Sequence, residues 1–385
     1  MELVSRFLPI PAQSFFLFGP RGTGKTTWLR QRFPDALYLD LLKPDLFREL
    51  SARPERLTER VSARPGVTTV IVDEVQRVPE LLTVVHDRLE EPISPQFILT
   101  GSSARKLRRG GVDLLAGRAL LRTLHPFMAA ELVEFDLDEI LRFGLLPLVV
   151  DSTLPEDVLQ AYATLYLEQE VQVEGWVRNI GSFTRFLEVA SFSHGAVLNV
   201  SNIARECQVG QKTVTGYLEV LEDLLLCYRL PVFRRRPRRQ TVAHPKFYLF
   251  DTGVFRSLRP RGPLDRPEEI AGAALEGLVA QHLRAWIAYA SEEAELFYWR
   301  TRAGSEVDFV VYGPAGFWAL EVSHTAHVRS ADLRSLRSFK SDHPECNTLF
   351  LYRGQDRLVR DGILCVPVAE FLVQLRPDRA LDAGM

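Results

Sequence analysis

Lysine, cysteine and long apolar segments are all scarce in this chain of 385 residues. Only six of the 47 basic residues are lysines, so a lysine present at a motif position, or missing from one, is unusually informative. The four cysteines are scattered without a C-x-x-C pair, which argues against a zinc site and fits a reducing compartment. No apolar run reaches the roughly 18 residues that span a bilayer, and no signal-peptide pattern is present. We therefore expect a cytoplasmic protein without a membrane partner.

The composition is that of a globular protein, with 46% hydrophobic and 25% charged residues, and the strand and helix segments described below predict an α/β fold. Its length predicts two or three domains, which we place at residues 1–150, 151–264 and 265–385. A net charge of −2 hides a local asymmetry. Between Val200 and Arg261 there are twelve lysines or arginines against five acidic residues, which leaves the rest of the chain acidic.

A glycine-rich loop near the start is the strongest motif. The apolar run from Phe15 to Phe18 leads into the spacing G-x-x-x-x-G-K-[ST], and a helix-competent segment follows. Backbone N–H groups of such a loop surround phosphate oxygens, Lys25 reaches the β- and γ-phosphates, and the Thr26 hydroxyl can bind Mg²⁺. The predicted ATP-binding residues are Gly19, Pro20, Arg21, Gly22, Thr23, Gly24, Lys25, Thr26 and Thr27.

Two downstream strands supply the partners that this loop needs. The β-branched run from Val67 ends in Asp73 and Glu74, which predicts a metal-binding aspartate and a general base that polarises the attacking water. The next strand ends in small polar residues, of which Thr100, or alternatively Ser102, could orient that water. These strands predict a parallel sheet that is covered on both faces.

Four motifs together resemble an AAA-superfamily ATPase family of bacteria and archaea. They are the glycine-rich loop, the acidic pair followed by residues 75–80, the Thr-Gly-Ser-Ser segment at 100–103, and the Leu-Ala-Gly-Arg segment at 115–118. In that family the ATPase is fused to a long C-terminal region, once annotated only as a domain of unknown function. The resemblance implies a ring, usually a hexamer, and makes Arg118 the candidate arginine finger for a neighbouring subunit. Arg105, Arg108 and Arg109 compete for that role.

The middle of the chain predicts a winged helix-turn-helix. Residues 198–207 and 211–221 form two helical segments around a turn with Gly210, and strands from Leu224 and from Lys246 would form the wing. The combination favours DNA binding without base-specific readout, although winged helices also bind proteins. The candidate DNA-binding residues are Gln211, Lys212, Thr213, Thr215, Arg234, Arg235, Arg236, Arg238 and Arg239.

The C-terminal third resembles the restriction-endonuclease-like fold. Glu276, Asp308 and Glu321 occur in the order in which that fold gathers acids around a divalent metal. The lysine expected two residues after the last acid is missing, because that position is Ser323, and Lys340 lies on a later helix. His324 is a weak substitute. We therefore expect a degenerate nuclease site.

The sequence as a whole predicts Mg²⁺-dependent ATP hydrolysis coupled to DNA binding and remodelling, carried out by a ring of this chain. An ATP-dependent nuclease and a regulatory ATPase that acts on protein partners are the alternatives.

Overall fold

We describe the protein from a computed structural model, and the description covers residues 4–101, 115–167, 179–235, 241–263 and 265–381. The chain divides into two compact units. The first, the P-loop unit, comprises Leu8–His125 and Glu222–Leu226. The second, the larger unit, comprises Met1–Phe7, Pro126–Leu221 and Cys227–Met385. The segment from 126 to 150, which the sequence placed with the first domain, thus lies in the larger unit.

The P-loop unit is built on a parallel sheet of five strands in the order β2-β3-β4-β1-β5. The strands are β1 (Phe15–Phe18), β2 (Leu37–Asp40), β3 (Thr69–Asp73), β4 (Gln96–Gly101) and β5 (Leu120–Thr123). The helices are α1 (Lys25–Arg32), α2 (Pro44–Ala52), α3 (Arg56–Ser62) and α4 (Leu81–Leu89), with 3₁₀ turns at Val75–Arg77 and Leu115–Gly117. The parallel sheet predicted from the sequence is confirmed.

The strand order decides which side chains meet at the carboxyl edge of this sheet. Every residue of β1 and β3 is buried, as expected for strands that are covered on both faces. The strand β4 lies between them, pairing Leu17 with Thr100 on one side and Val72 with Leu99 on the other. The residues that follow β1, β3 and β4 therefore converge, which is where ligands bind in open α/β sheets.

The larger unit begins with short helices and a small antiparallel sheet in the order β6-β8-β7. Its strands are β6 (Ala196–Val197), β7 (Cys227–Leu230) and β8 (Lys246–Leu249). Its helices are α5 (Leu137–Phe143), α6 (Pro147–Val150), α7 (Pro155–Ala161), α8 (Ile180–Ser191), α9 (Val200–Cys207), α10 (Gln211–Asp223) and α11 (Thr252–Leu258), with a 3₁₀ turn at Ala129–Glu131 and a π-helical turn at Tyr162–Tyr166. The two predicted helices of the helix-turn-helix segment are α9 and α10. They are joined through Gln208, which has a left-handed backbone (φ 57°).

The C-terminal part of the larger unit has a six-stranded mixed sheet in the order β13-β14-β12-β11-β10-β9. Its strands are β9 (Glu295–Arg300), β10 (Glu306–Gly313), β11 (Gly316–Val322), β12 (Asn347–Tyr352), β13 (Leu358–Arg360) and β14 (Ile363–Pro367), with helices α12 (Pro267–Tyr289), α13 (Arg334–Asp342) and α14 (Val368–Gln374). The predicted hairpin of β9 and β10 is present. Its register shifts between Val307 and Val310, so the ladder is irregular at Asp308.

The connection between β7 and β8, which the sequence predicted as a wing, pairs at both ends with the edge strand β9. The Phe233 N–H donates to the carbonyl of Tyr298 at 2.7 Å, and the Val242 N–H donates to that of Arg300 at 3.1 Å. The Phe233 side chain lies in the core of the C-terminal sheet. The small sheet is therefore joined to the C-terminal sheet by backbone hydrogen bonds, which the sequence did not predict.

Across the residues that the structure describes, no helix combines the length and apolar character needed to cross a membrane.

Candidate functional site

The glycine-rich loop has the backbone that its sequence predicts. Gly22 and Gly24 both have φ of 83°, a left-handed conformation that glycine adopts without a Cβ penalty. The buried Lys25 follows at the start of α1, and its Nζ donates to the carbonyls of Gly19 at 2.7 Å and Pro20 at 3.2 Å. The ammonium group is thus held against the loop backbone, where it could move to a phosphate.

The Asp73 carboxylate is the centre of the polar network at the sheet edge. Its Oδ2 accepts a hydrogen bond from the Thr26 hydroxyl at 3.0 Å and another from the Tyr38 hydroxyl. Its Oδ1 accepts from the hydroxyl of Thr100. Three hydroxyl donors suit an ionised carboxylate, which only accepts hydrogen bonds. The structure therefore brings together Thr26 and Asp73, the two residues that the sequence predicted as metal ligands.

Glu74 lies just beyond β3 in a strained conformation. Its φ of 61° is unusual for a residue other than glycine, and such strain is concentrated at functional sites. Its Oε2 accepts a hydrogen bond from Gln76 Nε2 at 2.5 Å. A Cβ on Gly101 would lie only 2.4 Å from Gln76 Oε1, so glycine is needed at 101 for the amide to remain where it holds Glu74.

Two further residues that the sequence predicted for this site, Thr100 and Arg118, lie in different surroundings. The Thr100 hydroxyl, proposed from the sequence to orient water, donates to Asp73 and accepts the Glu74 N–H at 3.3 Å, so it bridges the two acids. Arg118 is half-exposed and its Nε pairs with the Glu90 carboxylate. Ser102, Arg105, Arg108 and Arg109 lie outside the described residues.

The four helix-turn-helix candidates lie together at the start of α10. The side chains of Gln211, Lys212, Thr213 and Thr215 are all exposed, while Val214 and Leu218 are buried beneath them. Thr215 donates its hydroxyl to the Gln211 carbonyl at 3.0 Å. The first turn of this helix therefore offers polar groups and one positive charge on an accessible surface.

The arginines predicted for the wing have a different environment. Arg234 Nη2 donates to the carbonyl of Val242 at 2.9 Å. Arg235 pairs with the Glu295 carboxylate, and its guanidinium carbon lies 4.5 Å from the centroid of the Tyr312 ring. Both are thus engaged by the connection itself or by the C-terminal sheet. Arg236, Arg238 and Arg239 lie outside the described residues.

A second polar centre lies in the C-terminal part. It contains Lys246, at the start of β8, which the sequence placed in the basic wing. Its side chain is buried instead, with Nζ 2.9 Å from Glu276 Oε1, 2.5 Å from Glu306 Oε1 and 3.1 Å from Asp308 Oδ1. The position two residues after Glu321 is Ser323, as the sequence showed, but a lysine reaches this centre from another sheet.

Two carboxyl groups of this centre have raised pKa values. Burial, reinforced by the charge of Asp308, raises the pKa of Glu276 to about 7, although Lys246 opposes the shift. Burial and the same aspartate raise the pKa of Glu321 well above its usual value, and its Oε2 is buried without a hydrogen-bond partner. The Asp308 Oδ2 accepts the Val322 N–H at 3.0 Å.

The substitutes considered for the missing lysine are bonded elsewhere. The Ser323 hydroxyl lies 3.0 Å from that of Thr325, and His324 Nε2 lies 3.0 Å from Arg353 Nη1. The ammonium of Lys340 donates to the Cys346 carbonyl. Within the described part of the chain, no three His, Cys, Asp or Glu side chains are arranged to hold a metal ion.

Sequence reasoning missed four residues of the two centres: Tyr38, Gln76, Lys246 and Glu306. Tyr38 alternates with buried Leu37 and Leu39 on β2, so it shares a strand face with Asp40, and this alternation was a signal. Lys246 opens a buried strand in a chain with few lysines, which was the other available signal.

Three family models match successive parts of the chain. Residues 12–133 match the family described as AAA domain, residues 134–265 a domain of unknown function (DUF8612), and residues 271–371 another domain of unknown function (DUF4143). The chain thus carries an AAA-type ATPase-like domain followed by a DUF4143 domain. It is 28% identical to Uncharacterized protein Rv2008c of Mycobacterium tuberculosis and to Uncharacterized protein Mb2031c of Mycobacterium bovis, covering 95% of this chain and 82% of each relative.

Two further likenesses are weaker. An uncharacterized protein of Haemophilus influenzae is 22% identical over 48% of this chain and 51% of its own length. The crystal structure of protein VC1899 from Vibrio cholerae aligns over 95% of this chain and 97% of that protein, with 10% identity and a TM-score of 0.20, a value too low to define a shared fold.

Proposed function

We infer that the P-loop unit binds ATP with Mg²⁺ and hydrolyses it. The observation that carries this proposal is the position of the Thr26 hydroxyl. It follows the glycine-rich loop directly and lies 3.0 Å from the Asp73 carboxylate. Thr26 lies in the helix after β1 and Asp73 ends β3 of the same parallel sheet, and their meeting is the arrangement that nucleotide-hydrolysing P-loop proteins use for the metal. The AAA family match over residues 12–133 supports the same conclusion.

The residues present fit a nucleotide and its metal. A Cβ on Gly19 would lie 2.5 Å from the Leu124 carbonyl oxygen, so the loop can pass this close to the backbone after β5 only with glycine there. Thr26 and Asp73 would hold Mg²⁺, an ion that commonly takes one or two protein ligands beside phosphate oxygens. Bound there, the ion neutralises charge on the phosphates. Lys25 would supply a further positive charge once it leaves the carbonyls of Gly19 and Pro20.

Glu74 is the proposed general base. Its carboxylate follows the metal-binding aspartate directly, and the Gln76 amide holds one of its oxygens at 2.5 Å. The carboxylate can accept a proton from the attacking water. Thr100 acts as a positioning residue, because its hydroxyl bridges the Asp73 carboxylate and the Glu74 backbone.

The proposal extends to DNA, with ATP hydrolysis coupled to binding and remodelling of the duplex by a ring of this chain, for which Arg118 would be the arginine finger. The exposed first turn of α10, with Lys212 between Gln211 and Thr213, supports this extension, since helix N-termini of helix-turn-helix units contact phosphates and base edges. The basic composition of residues 200–261 supports it too. Lys246 does not contribute to that surface charge, because it is buried.

The ATPase proposal is tested with Lys25→Ala, using Lys43→Ala as the matched control. Lys43 is an exposed lysine at the start of α2, outside the network described above. We expect Lys25→Ala to lower ATP turnover by about 100-fold, since one preorganised donor to the developing charge is lost. Lys43→Ala should match the wild type. Equal turnover in the two variants would contradict the assignment.

The DNA proposal is tested by the salt dependence of duplex binding. Lys212→Ala should weaken binding to unrelated sequences equally and reduce the slope of log affinity against log salt by about one. Glu219→Ala, farther along the same helix, is the control. Absence of any DNA binding by the wild type, or of any stimulation of its ATP turnover by DNA, would favour the regulatory alternative with a protein partner.

A further inference from the structure

The ammonium group of Lys246 is fully used by carboxylates. An ammonium has three N–H bonds, and Lys246 Nζ lies within hydrogen-bonding distance of three carboxylate oxygens, one each from Glu276, Glu306 and Asp308. The side chain is only 2% exposed. Such a group fills the role that a metal ion has in an acidic centre, because it brings several carboxylates together by neutralising part of their charge.

The chemistry of Lys246 is that of a fixed cation. Burial would lower the pKa of its ammonium group, but the charges of the neighbouring acids, Glu276 first and then Asp308 and Glu306, outweigh burial and raise the pKa well above the usual value. A lysine that acts as a base needs the opposite shift, toward neutral pH. The acids are also held from other sides, since Tyr248 donates to Glu276 Oε1 at 2.5 Å and Arg300 Nη1 lies 3.1 Å from Glu306 Oε2.

The origin of the lysine separates this centre from a metal site. Lys246 lies on β8 of the small sheet, whereas Glu276 belongs to α12, and Glu306 and Asp308 belong to β10 of the C-terminal sheet. Asp308 lies at the irregular point of the β9–β10 ladder, and irregularities of this kind change the direction of side chains. The acids that could have gathered a divalent ion are thus turned toward a cation supplied by a neighbouring sheet.

We propose that Lys246 is the resident cation of the acidic centre formed by Glu276, Glu306, Asp308 and Glu321, in place of a divalent metal ion. The ion pairs of this centre join the small sheet to the C-terminal sheet. It neither binds Mg²⁺ or Mn²⁺ nor cleaves phosphodiesters. Among the described residues, the P-loop is then the one place to which we assign a chemical reaction. The proposal is independent of that reaction and is tested without nucleotide.

The first experiment uses the wild-type protein. Crystals soaked in MnCl₂ should give no anomalous difference peak between Glu276, Asp308 and Glu321. In solution, the Mn²⁺ stoichiometry measured by electron paramagnetic resonance should be the same for the wild type and for Asp308→Asn. Asp73→Asn identifies any ion held at the P-loop. A peak at the acidic centre, or an ion that Asp308→Asn removes, overturns the proposal.

The second experiment removes the Lys246 ammonium group, which leaves the acidic centre able to bind a metal ion. In Lys246→Ala the carboxylates lose their cation, and we expect one additional Mn²⁺ per chain, which the further change Asp308→Asn abolishes. Lys340→Ala, a lysine of the same unit that bonds to a backbone carbonyl, should gain none. A folded Lys246→Ala protein that binds no additional Mn²⁺ overturns the proposal. If that variant does not fold, the comparison of the wild type with Asp308→Asn still decides.

The third readout is plasmid cleavage. The wild type incubated with Mn²⁺ and supercoiled plasmid should produce no nicked product above the level of Asp308→Asn. Cleavage that depends on both Asp308 and Lys246 would identify Lys246 as the lysine of a working nuclease and would contradict its role as a fixed cation.

Discussion

The Tyr38 hydroxyl donates a hydrogen bond to the Asp73 carboxylate, although the two residues lie on different strands of the parallel sheet. The same carboxylate oxygen accepts from Thr26. Burial, together with the bond to Asp73, raises the pKa of Tyr38 well above its usual value, so the phenol remains a donor at all physiological pH. Tyr38 therefore orients the aspartate that would hold the metal.

From this contact we predict that Tyr38→Phe lowers the apparent affinity for Mg²⁺ in the ATPase reaction by about 10-fold, the usual effect of removing a group that supports a metal ligand. Binding of ATP without metal should not change. The measurement is ATP turnover as a function of Mg²⁺ concentration. Tyr352→Phe, whose hydroxyl bonds to the Asp356 carbonyl, is the control. An unchanged Mg²⁺ dependence in Tyr38→Phe would show that the hydroxyl has no such role.

The second prediction concerns Arg118, which is paired with Glu90. If Arg118 serves a neighbouring subunit, Arg118→Ala should lose about 1,000-fold in turnover, the lower end of the range for arginine fingers. A mixture of Arg118→Ala and Lys25→Ala subunits should then recover part of the activity, because one variant supplies the loop and the other the arginine. Glu90→Ala should not reduce turnover. A mixture as inactive as each variant alone argues against a finger acting between subunits.

Asp251 makes the stability of the larger unit depend on pH. Burial raises its pKa from 3.8 to about 6, although the N–H groups of Leu145, Val254 and Gly253 donate to it and oppose the shift. A carboxyl group with a raised pKa in the folded state stabilises the fold most below pH 4, and this contribution is lost as the pH rises through 6. The difference is on the order of 3 kcal/mol.

The variant Asp251→Asn isolates this effect. Its free energy of unfolding, measured by urea denaturation, should lack the decline that Asp251 causes in the wild type between pH 4 and 6. The absolute stability will also fall, because the asparagine amide cannot accept the Leu145 N–H as the carboxylate does. Only the difference in slope tests the prediction. Parallel pH profiles of the two proteins would contradict the raised pKa.

His282 should have the opposite effect. Its Nε2 accepts the Ala129 N–H at 2.9 Å and its Nδ1 lies 2.8 Å from the Leu278 carbonyl, which requires a neutral ring with the proton on Nδ1. Burial lowers its pKa from 6.5 to about 4. The stability it contributes is therefore complete above pH 6.5 and is lost as the pH falls toward 4.

The variant His282→Gln should remove this acid-induced loss, so that its urea midpoint changes less than that of the wild type between pH 6.5 and pH 4. Nuclear magnetic resonance titration of the wild-type ring provides a direct measurement. A ring that titrates near pH 6.5 would show that His282 is not buried in the neutral form.

The parts of the site that could be predicted from the sequence are those in which neighbouring residues share one function. Residues 19–27 and the pair Asp73–Glu74 each lie at one strand end, so their spacing was sufficient, and the AAA family match agrees. Glu276 and Asp308 were predicted together and do lie around one centre. The roles predicted for residues 19–27, for Asp73 and Glu74, and for Thr100, Arg118 and the α10 residues remain predictions.

What the sequence could not provide is the pairing of distant strands. Tyr38 reaches Asp73 because β2 lies beside β3, and Lys246 reaches Asp308 because β8 lies beside the C-terminal sheet. Neither relation leaves a spacing pattern along the chain. The basic run before Lys246 favoured an exposed wing. Lys246 is nevertheless buried, because the carboxylates of Glu276, Glu306 and Asp308 offset the cost of burying its ammonium charge.

The variant Glu74→Gln tests the central claim, that this chain hydrolyses ATP at the P-loop with Glu74 as the base. The amide keeps the size of the side chain but cannot take a proton, so ATP should bind as tightly as in the wild type while turnover falls by about 100-fold or more. Single-turnover hydrolysis of radiolabelled ATP, with binding measured in parallel, gives both values. Turnover equal to that of the wild type, with ATP bound, would contradict the account.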